Sequence, residues 1–162
     1  VFHSRFLQPA IMKKNRAKFT VGVFGIIFDE QNRVLLVHRT DYDLWNLPGG
    51  GLEAREPPWE GVKREVKEET GFDVEVEKLL GFYSKRDEDN LALSFKCKII
   101  GGRATLNNEA DQIKFFETDK LPANTFPKQV ERIKDALQNS DKTILKVQTG
   151  RHTIDLARER KL

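Results

Sequence analysis

Three consecutive glycines, Gly49, Gly50 and Gly51, lead within a few residues to a proline pair, Pro57 and Pro58, and then to Gly71. Proline suits a first-turn position that needs no N–H, and glycine suits the position just past a helix. The spacing therefore predicts one short helix from the proline pair to about Thr70, entered through a glycine turn. At 3.6 residues per turn, Glu65, Glu68 and Glu69 stand at i, i+3 and i+4 and share a face, although like charges so placed repel. Trp59, Val62 and Val66 form a neighbouring stripe suited to a core, Lys63 and Lys67 point the other way, and Arg64 is spaced to pair with Glu68.

An E-x-x-E-E cluster by itself is consistent with a solvated helix face. Here Glu53 and Glu56 lie just ahead of the helix, so five carboxylates are available to one region, where a bound cation would offset their repulsion. Oxygen-only ligands select a hard cation, Mg²⁺ or Mn²⁺.

The stretch LPGGGLEAREPPWEGVKREVKEETGF resembles, without a gap, the Nudix box, G-x5-E-x7-R-E-U-x-E-E-x-G-U with U apolar. Gly50, Glu56, Arg64, Glu65, Val66, Glu68, Glu69, Gly71 and Phe72 fill its fixed positions. The resemblance implies a loop-helix-loop that binds divalent metal on the diphosphate of a nucleoside diphosphate linked to another group, which water cleaves. It implies metal ligation by Glu56, Glu65, Glu68 and Glu69, and catalytic roles for Glu68 and for Glu53, the latter as a further ligand or its partner. Arg64 is expected to orient the carboxylates, and Gly49, Gly50 and Gly51 to bring backbone to the substrate. Many members have glycine just before the first box glutamate, where this chain has Arg55.

Length and composition bound the rest. With 162 residues, 38% hydrophobic and 33% charged, the chain reads as one soluble globular domain. No apolar run approaches the roughly 18–20 residues of a membrane helix, and the first residues lack a signal peptide's apolar core, so no membrane association and a cytoplasmic location are expected. Cys97, the single cysteine, sits in an apolar alternation and reads as a buried structural thiol. The three histidines show no zinc-ligand spacing.

Charge is unevenly placed. Residues 1–18 hold five basic side chains and no acid, and residues 120–162 hold ten basic against five acidic, leaving an acidic centre. An acidic centre fits a cation site, and the basic ends are either solvated tails or a surface for a polyanion such as an RNA 5′ end. The expected organisation is a basic N-terminal extension (1–17), a catalytic domain (18–138) and a basic C-terminal extension (139–162) that forms a hairpin arm or short helix against the domain or a second subunit of a homodimer.

Along the chain, KFTVGVFGIIFD and RVLLVHR read as two strands joined as a hairpin across EQNR. Leu44 to Leu47 is a short extended feeder. DVEVEKLLGFYSKR reads as a strand bent at Gly81, LALSFKCKII as another, and PKQVERIKDAL as a helix with Val130, Ile133 and Leu137 on its apolar face. Phe126 is expected to anchor the core. The order gives an α/β (α+β) fold, and the resemblance over roughly Thr20 to Leu137 implies the Nudix α/β/α sandwich with a mixed sheet.

The resemblance also points to Arg39, at the end of the strand before W-x-L-P-G-G, as a phosphate contact. Tyr42 is a weaker stacking candidate, and Glu109, then Asp111, are candidates for an extra ligand or water-activating base. The implied activity is Mg²⁺-dependent hydrolysis of a nucleoside diphosphate derivative, with ADP-ribose or a nucleotide sugar first. Nucleoside triphosphates, dinucleoside polyphosphates and triphosphorylated RNA 5′ ends are alternatives, and a non-catalytic nucleotide sensor is the reading from another class. A proline about fifteen residues beyond the box, common in ADP-ribose enzymes, is replaced here by KRDEDN.

Overall fold

The computed structural model describes residues 17–138 and 140–161. The expected N-terminal extension lies outside the described residues except for Ala17. Among the described residues eight strands and three helices follow in the order β1 (Thr20–Ile27), β2 (Val34–Arg39), β3 (Trp45–Asn46), β4 (Gly49–Gly51), α1 (Pro58–Thr70), β5 (Phe72–Lys85), β6 (Asn90–Gly102), β7 (Ala110–Phe116), α2 (Pro127–Leu137), β8 (Ile144–Gln148) and α3 (Thr153–Glu159). Among the described residues no helix is long and apolar enough to cross a membrane.

The strands form two sheets. A mixed five-stranded sheet has the order β4-β1-β6-β5-β8, and an antiparallel three-stranded sheet the order β3-β2-β7. Period-two alternation on β1 sends Val23 and Ile27 into a cluster with Val62 and Val66 of α1, and Ile26 into a second cluster with Leu47 and Ile133 of α2. Helices thus cover opposite faces, the α/β/α sandwich expected.

Four expectations are corrected. The β1–β2 hairpin does not form: the strands touch through the single Phe28–Val34 bridge and then part into different sheets. Asn32 turns the chain in the left-handed region, at φ 58°, while the Asp29 carboxylate accepts the N–H groups of Gln31 and Arg33. Trp59 is 54% exposed, because the buried face of α1 runs through Gly61, Val62, Val66, Glu69 and Thr70.

On α2, Ile133 is fully buried but Leu137 is 44% exposed, and the buried face also carries Gln129, Arg132 and Asp135. Those polar groups are paired rather than stranded. Arg132 donates to Gln148 of β8 and stacks between the rings of Phe24 and Tyr83, while Asp135 accepts from Lys146 and from the Tyr83 hydroxyl. Fourth, of the two alternatives for the stretch after residue 138, the short helix forms as α3, with Ala157 packed on Leu44 and Phe126, but there is no hairpin arm: β8 joins the sheet in parallel beside β5, in register from Gly81 with Ile144 to Lys85 with Gln148. Phe126 and Cys97 are buried as expected, and burial pushes the Cys97 thiol up to about 12, which fits an inert core group.

Candidate active site

The site begins with how α1 is held. Val62 and Val66 are fully buried against the five-stranded sheet, which fixes the rotation of the helix about its axis. Gly71 ends it in the left-handed conformation, φ 80°, with its N–H donating to the Lys67 carbonyl. With rotation and end fixed, Glu65 and Glu69 face the glycines, while the Glu68 side chain is 55% exposed at the rim.

Those glycines are a strand rather than a loose turn. β4 pairs antiparallel with β1, Gly22 opposite Gly51 and Phe24 opposite Gly49. A Cβ on Gly50 would lie 2.7–2.8 Å from the Glu65 carboxyl group, so only glycine lets that group sit against the strand. Glu69 is buried and its carboxylate accepts the Gly49 N–H at 3.0 Å. Burial pushes Glu69 up to about 8, with Glu65 and Glu109 adding like-charge repulsion that Gly49 and Arg39 only partly offset. Burial also raises Glu65, against the pull of Arg64.

Arg64 organises the remaining carboxylates. Its guanidinium donates to both oxygens of Glu56, at 2.8 and 2.9 Å, to Glu65 at 2.9 Å, to Glu68 at 3.1 Å and to the Gly51 carbonyl at 3.2 Å. The expected Glu68 contact is therefore one of several, and the two-point contact is with Glu56, held by Arg64 down to about 2. Glu56 also accepts the backbone N–H of Glu53, whose own side chain is exposed, 3.9 Å from Arg64. With Arg64 among them, the five carboxylates do not meet at one point: among the described residues no three acidic, histidine or cysteine side chains do.

A cleft of about 260 Å³ opens beside Glu69, lined also by Arg39, Thr40, Asp41 and Glu109. Thr40 N–H donates to the Glu109 carbonyl, and the Asn107 amide oxygen accepts the N–H groups of Glu109 and Ala110 at 2.8 and 2.9 Å. The Asn107 amide nitrogen donates in turn to the Glu68 carbonyl, so one side chain ties the end of α1 to the loop that carries Glu109.

Residues 18–137 match the family model described as the NUDIX domain. The Nudix family is the one to which this chain belongs. A MutT-like protein of Streptomyces ambofaciens is 36% identical over 135 residues, 83% of this chain and 87% of that protein. An ADP-ribose pyrophosphatase of Methanocaldococcus jannaschii is 34% identical over 139 residues, 78% of this chain and 82% of that one. Among solved structures, an ADP-ribose pyrophosphatase from Streptococcus suis superposes with a TM-score of 0.67 at 26% identity, covering 81% of this chain and all of its own. A UDP-X diphosphatase structure gives 0.71 at 27% identity, covering 83% of this chain and 70% of its own.

The Nudix residues thus divide by place. Glu56, Glu65 and Glu68 surround Arg64, Glu69 faces the cleft, and Glu53 stays at the edge. The set fits a hard divalent ion in kind: all-oxygen donors, two of them raised by burial, and a glycine strand that leaves room for Glu65. Arg55 adopts φ 67°, a left-handed conformation that the glycine common at this Nudix position would take without strain. Arg39 lines the cleft, paired with Asp41 through two contacts of 2.8 and 2.7 Å.

Two candidates are placed away from the cleft. Tyr42 packs with Leu44, Phe126 and Ala157, its ring 5.3 Å from the Arg39 guanidinium. Asp111 turns to the other side of β7, where its carboxylate lies 2.7 Å from Nδ1 of His38. A larger cavity, about 300 Å³, lies between the start of α2 and the loop before α3 and contains none of the Nudix carboxylates. Among the basic C-terminal side chains, Lys146 pairs with Asp135 and Glu131, Arg151 with Glu159 and Arg160 with Asp43.

Sequence reasoning passed over Asn107. It is invisible without the turn that brings it to α1.

Proposed function

We propose that this Nudix protein is a divalent-cation-dependent hydrolase that cleaves the diphosphate of a nucleoside diphosphate derivative, ADP-ribose or a nucleotide sugar first among them. The observation that carries the reading is one cleft lined by buried Glu69, Glu109 and Arg39, with Glu65 and Glu109 both adding like-charge repulsion to Glu69. Carboxylates that repel one another inside a cleft are arranged for cations, and a cleft edged by arginine suits an anionic substrate.

Glu56, Glu65, Glu68 and Glu69 would hold Mg²⁺ or Mn²⁺, which when bound neutralises diphosphate oxygens and lowers the pKa of an attacking water. Arg64 keeps Glu56 ionised and fixes the carboxylates around it. Glu109, anchored through Asn107 and Thr40, lines the same cleft as Glu69 and is the proposed acceptor of the proton that water loses. Water oxygen bonds to phosphorus as the anhydride P–O bond breaks, leaving two phosphate-bearing products.

The relative from M. jannaschii, named an ADP-ribose pyrophosphatase, supports the substrate class. A nucleoside triphosphate is the second reading. It is favoured by a Bacillus subtilis relative named a putative 8-oxo-dGTP diphosphatase, 34% identical over 121 residues, 72% of this chain and 79% of that protein, and by KRDEDN in place of the ADP-ribose-type proline.

The test is turnover of purified protein on ADP-ribose, nucleotide sugars, nucleoside triphosphates and dinucleoside polyphosphates with Mg²⁺, with Mn²⁺ and after chelation. The expected result is metal-dependent cleavage, fastest on the nucleoside diphosphate derivatives. Ligand binding without any product across the set would make the protein a nucleotide sensor, and full activity after exhaustive chelation would refute the metal mechanism.

A further inference from the structure

The cavity of about 300 Å³ at the start of α2 is lined by Phe126, Pro127 and Lys128 on the helix side and by Thr149, Thr153 and Leu156 from the segment around α3. The second group lies beyond residue 137, where the NUDIX match ends. The cavity is therefore built by the C-terminal segment of this chain and is separate from the cleft that holds Glu69 and Glu109.

Lys128 is the unusual part of its wall. The residue is 9% exposed, yet among the described residues its ammonium donates no hydrogen bond, and the nearest carboxylate oxygen, Oε1 of Glu88, stands at 3.6 Å. That oxygen already lies 2.7 Å from Nδ1 of His152. Nor is the ammonium sealed off: among the described residues the sealed polar side-chain atoms without a partner are Asn46 Oδ1 and Ser94 Oγ, and the Lys128 nitrogen is not one of them. An ammonium has three donors, and one largely withdrawn from water with none of them satisfied is costly until an acceptor reaches it.

Charge around Lys128 is out of balance. Lys146 takes Glu131 and Asp135, and Arg132, 2% exposed, donates to the neutral Gln148 amide rather than to a carboxylate. Glu88 is left to serve Lys85 at 4.0 Å together with Lys128 and His152. Burial pushes the Lys85 ammonium down, and repulsion from Arg132 and Lys128 adds to burial against the pull of Glu88. One further anion would relieve this excess, and the cavity beside Lys128 has room for it.

The rest of the lining indicates which anion. Pro127 has no N–H, and the N–H groups of Gln129 and Val130 both donate to the Phe126 carbonyl, so the Lys128 N–H is the free donor of the first turn of α2. Among the described residues the Thr149 and Thr153 hydroxyls engage no other group, while the Glu131 carboxylate that also faces the cavity is taken by Gln148 at 2.8 Å and Lys146 at 3.1 Å. Several free donors beside a cation suit the three oxygens of a phosphate better than the two of a carboxylate. Phe126, Pro127 and Leu156 add apolar wall, and a cavity of this volume takes a phosphate with an organic body of about sugar size.

We propose that this cavity is an anion site, distinct from the hydrolytic cleft, that binds a phosphate monoester with Lys128 as its ionic anchor. The site stands independently of the hydrolase reading.

The experiment titrates the full chain, with chelator present to keep metal from the Nudix carboxylates, with ribose 5-phosphate, inorganic phosphate, ribose and acetate. Binding is read by calorimetry and by the backbone amide resonances. Ribose 5-phosphate should bind saturably and shift the amides of Lys128, Thr149, Gly150 and Thr153, while those of Thr40 and Gly49–Gly51 hold still. Ribose and acetate should bind more weakly by about tenfold or more, and inorganic phosphate, which lacks the organic body, should also bind more weakly.

Lys128→Met should weaken ribose 5-phosphate by about tenfold or more, whereas Arg39→Ala, which alters only the cleft, should leave its affinity within about twofold. Shifts confined to the cleft, a titration that never saturates, unchanged affinity in Lys128→Met, or any of the three other compounds binding as tightly as ribose 5-phosphate overturns the proposal. The amide map is read on wild type, so it decides the location even if Lys128→Met fails to fold.

Discussion

Arg64 grips Glu56 at two points, Nε to Oε1 at 2.8 Å and Nη2 to Oε2 at 2.9 Å, while its remaining N–H donors reach Glu65, Glu68 and the Gly51 carbonyl. A lysine is a point charge and cannot hold two oxygens of one carboxylate in a plane while bonding three other groups. Arg64→Lys should therefore lower turnover by about 10–100-fold, the usual cost of losing a group that orients metal ligands. The fold should survive, and circular dichroism with kinetics on the same preparation checks both.

Glu68 and Glu69 should separate when each is changed to glutamine. Both substitutions should reduce turnover by more than the roughly 10–100-fold that a supporting group costs. Only Glu69→Gln should also raise the thermal midpoint of metal-free protein, because Glu69 is buried and pushed up to about 8 whereas the Glu68 side chain is 55% exposed. Near wild-type turnover in either variant would remove that residue from the site.

Asn107 joins the Glu68 carbonyl to the backbone of Glu109 and Ala110. Asn107→Ala should free the Glu109 loop, lowering kcat while leaving KM for the substrate within about twofold, as expected when an interaction made in the transition state is lost. Asn107→Asp keeps the acceptor for both N–H groups and should recover part of the loss, which steady-state kinetics on the three proteins would show.

Arg55 occupies the left-handed region at φ 67°. Relief of that strain should make Arg55→Gly more stable by about 1 kcal/mol, a rise of about 2–4 °C in Tm for a chain of this size. Differential scanning calorimetry reads the shift, and a lowered Tm would show that the arginine side chain contributes more than its backbone costs.

His38 gives a pH signature. Burial alone would lower it, but hydrogen bonds to Asp43 and Asp111 outweigh burial and raise it above its ordinary value. A histidine raised in the folded state contributes stability that is fully present below its unfolded value, near 6.5, and lost as pH rises through its folded value. The thermal midpoint should fall across that window, and His38→Asn should flatten the fall. Identical profiles for the two proteins would show that another group governs the slope.

The chemistry of α1 was legible because its spacing is fixed by covalent geometry. Prolines, glycine and i, i+3, i+4 carboxylates leave little freedom, and Pro58–Thr70 forms as read. What escaped depends on contacts between distant segments. The β1–β2 hairpin looked local, yet β6 and β4 take both edges of β1. Arg132 and Asp135 lie off the apolar stripe expected from Val130, Ile133 and Leu137, and their burial was not legible because their partners, Gln148 and Lys146, come from a strand beyond the apparent end of the domain. Trp59 looked like core because it shares a stripe with Val62 and Val66 at helical spacing, while the actual azimuth of α1 follows Gly61 and Val62.

The cleft is flanked by two separate hydrogen-bond ladders, since Glu69 rides on a helix packed against the five-stranded sheet and Glu109 leads into β7 of the three-stranded one. Its width is therefore a coordinate of the whole sandwich rather than of any loop. A swollen or shrunken residue in the cores that both sheets share, Leu35 on the α1 side or Leu47 on the α2 side for instance, acts on the reaction as a spacer acts on a vice, by moving the jaws without touching what they hold.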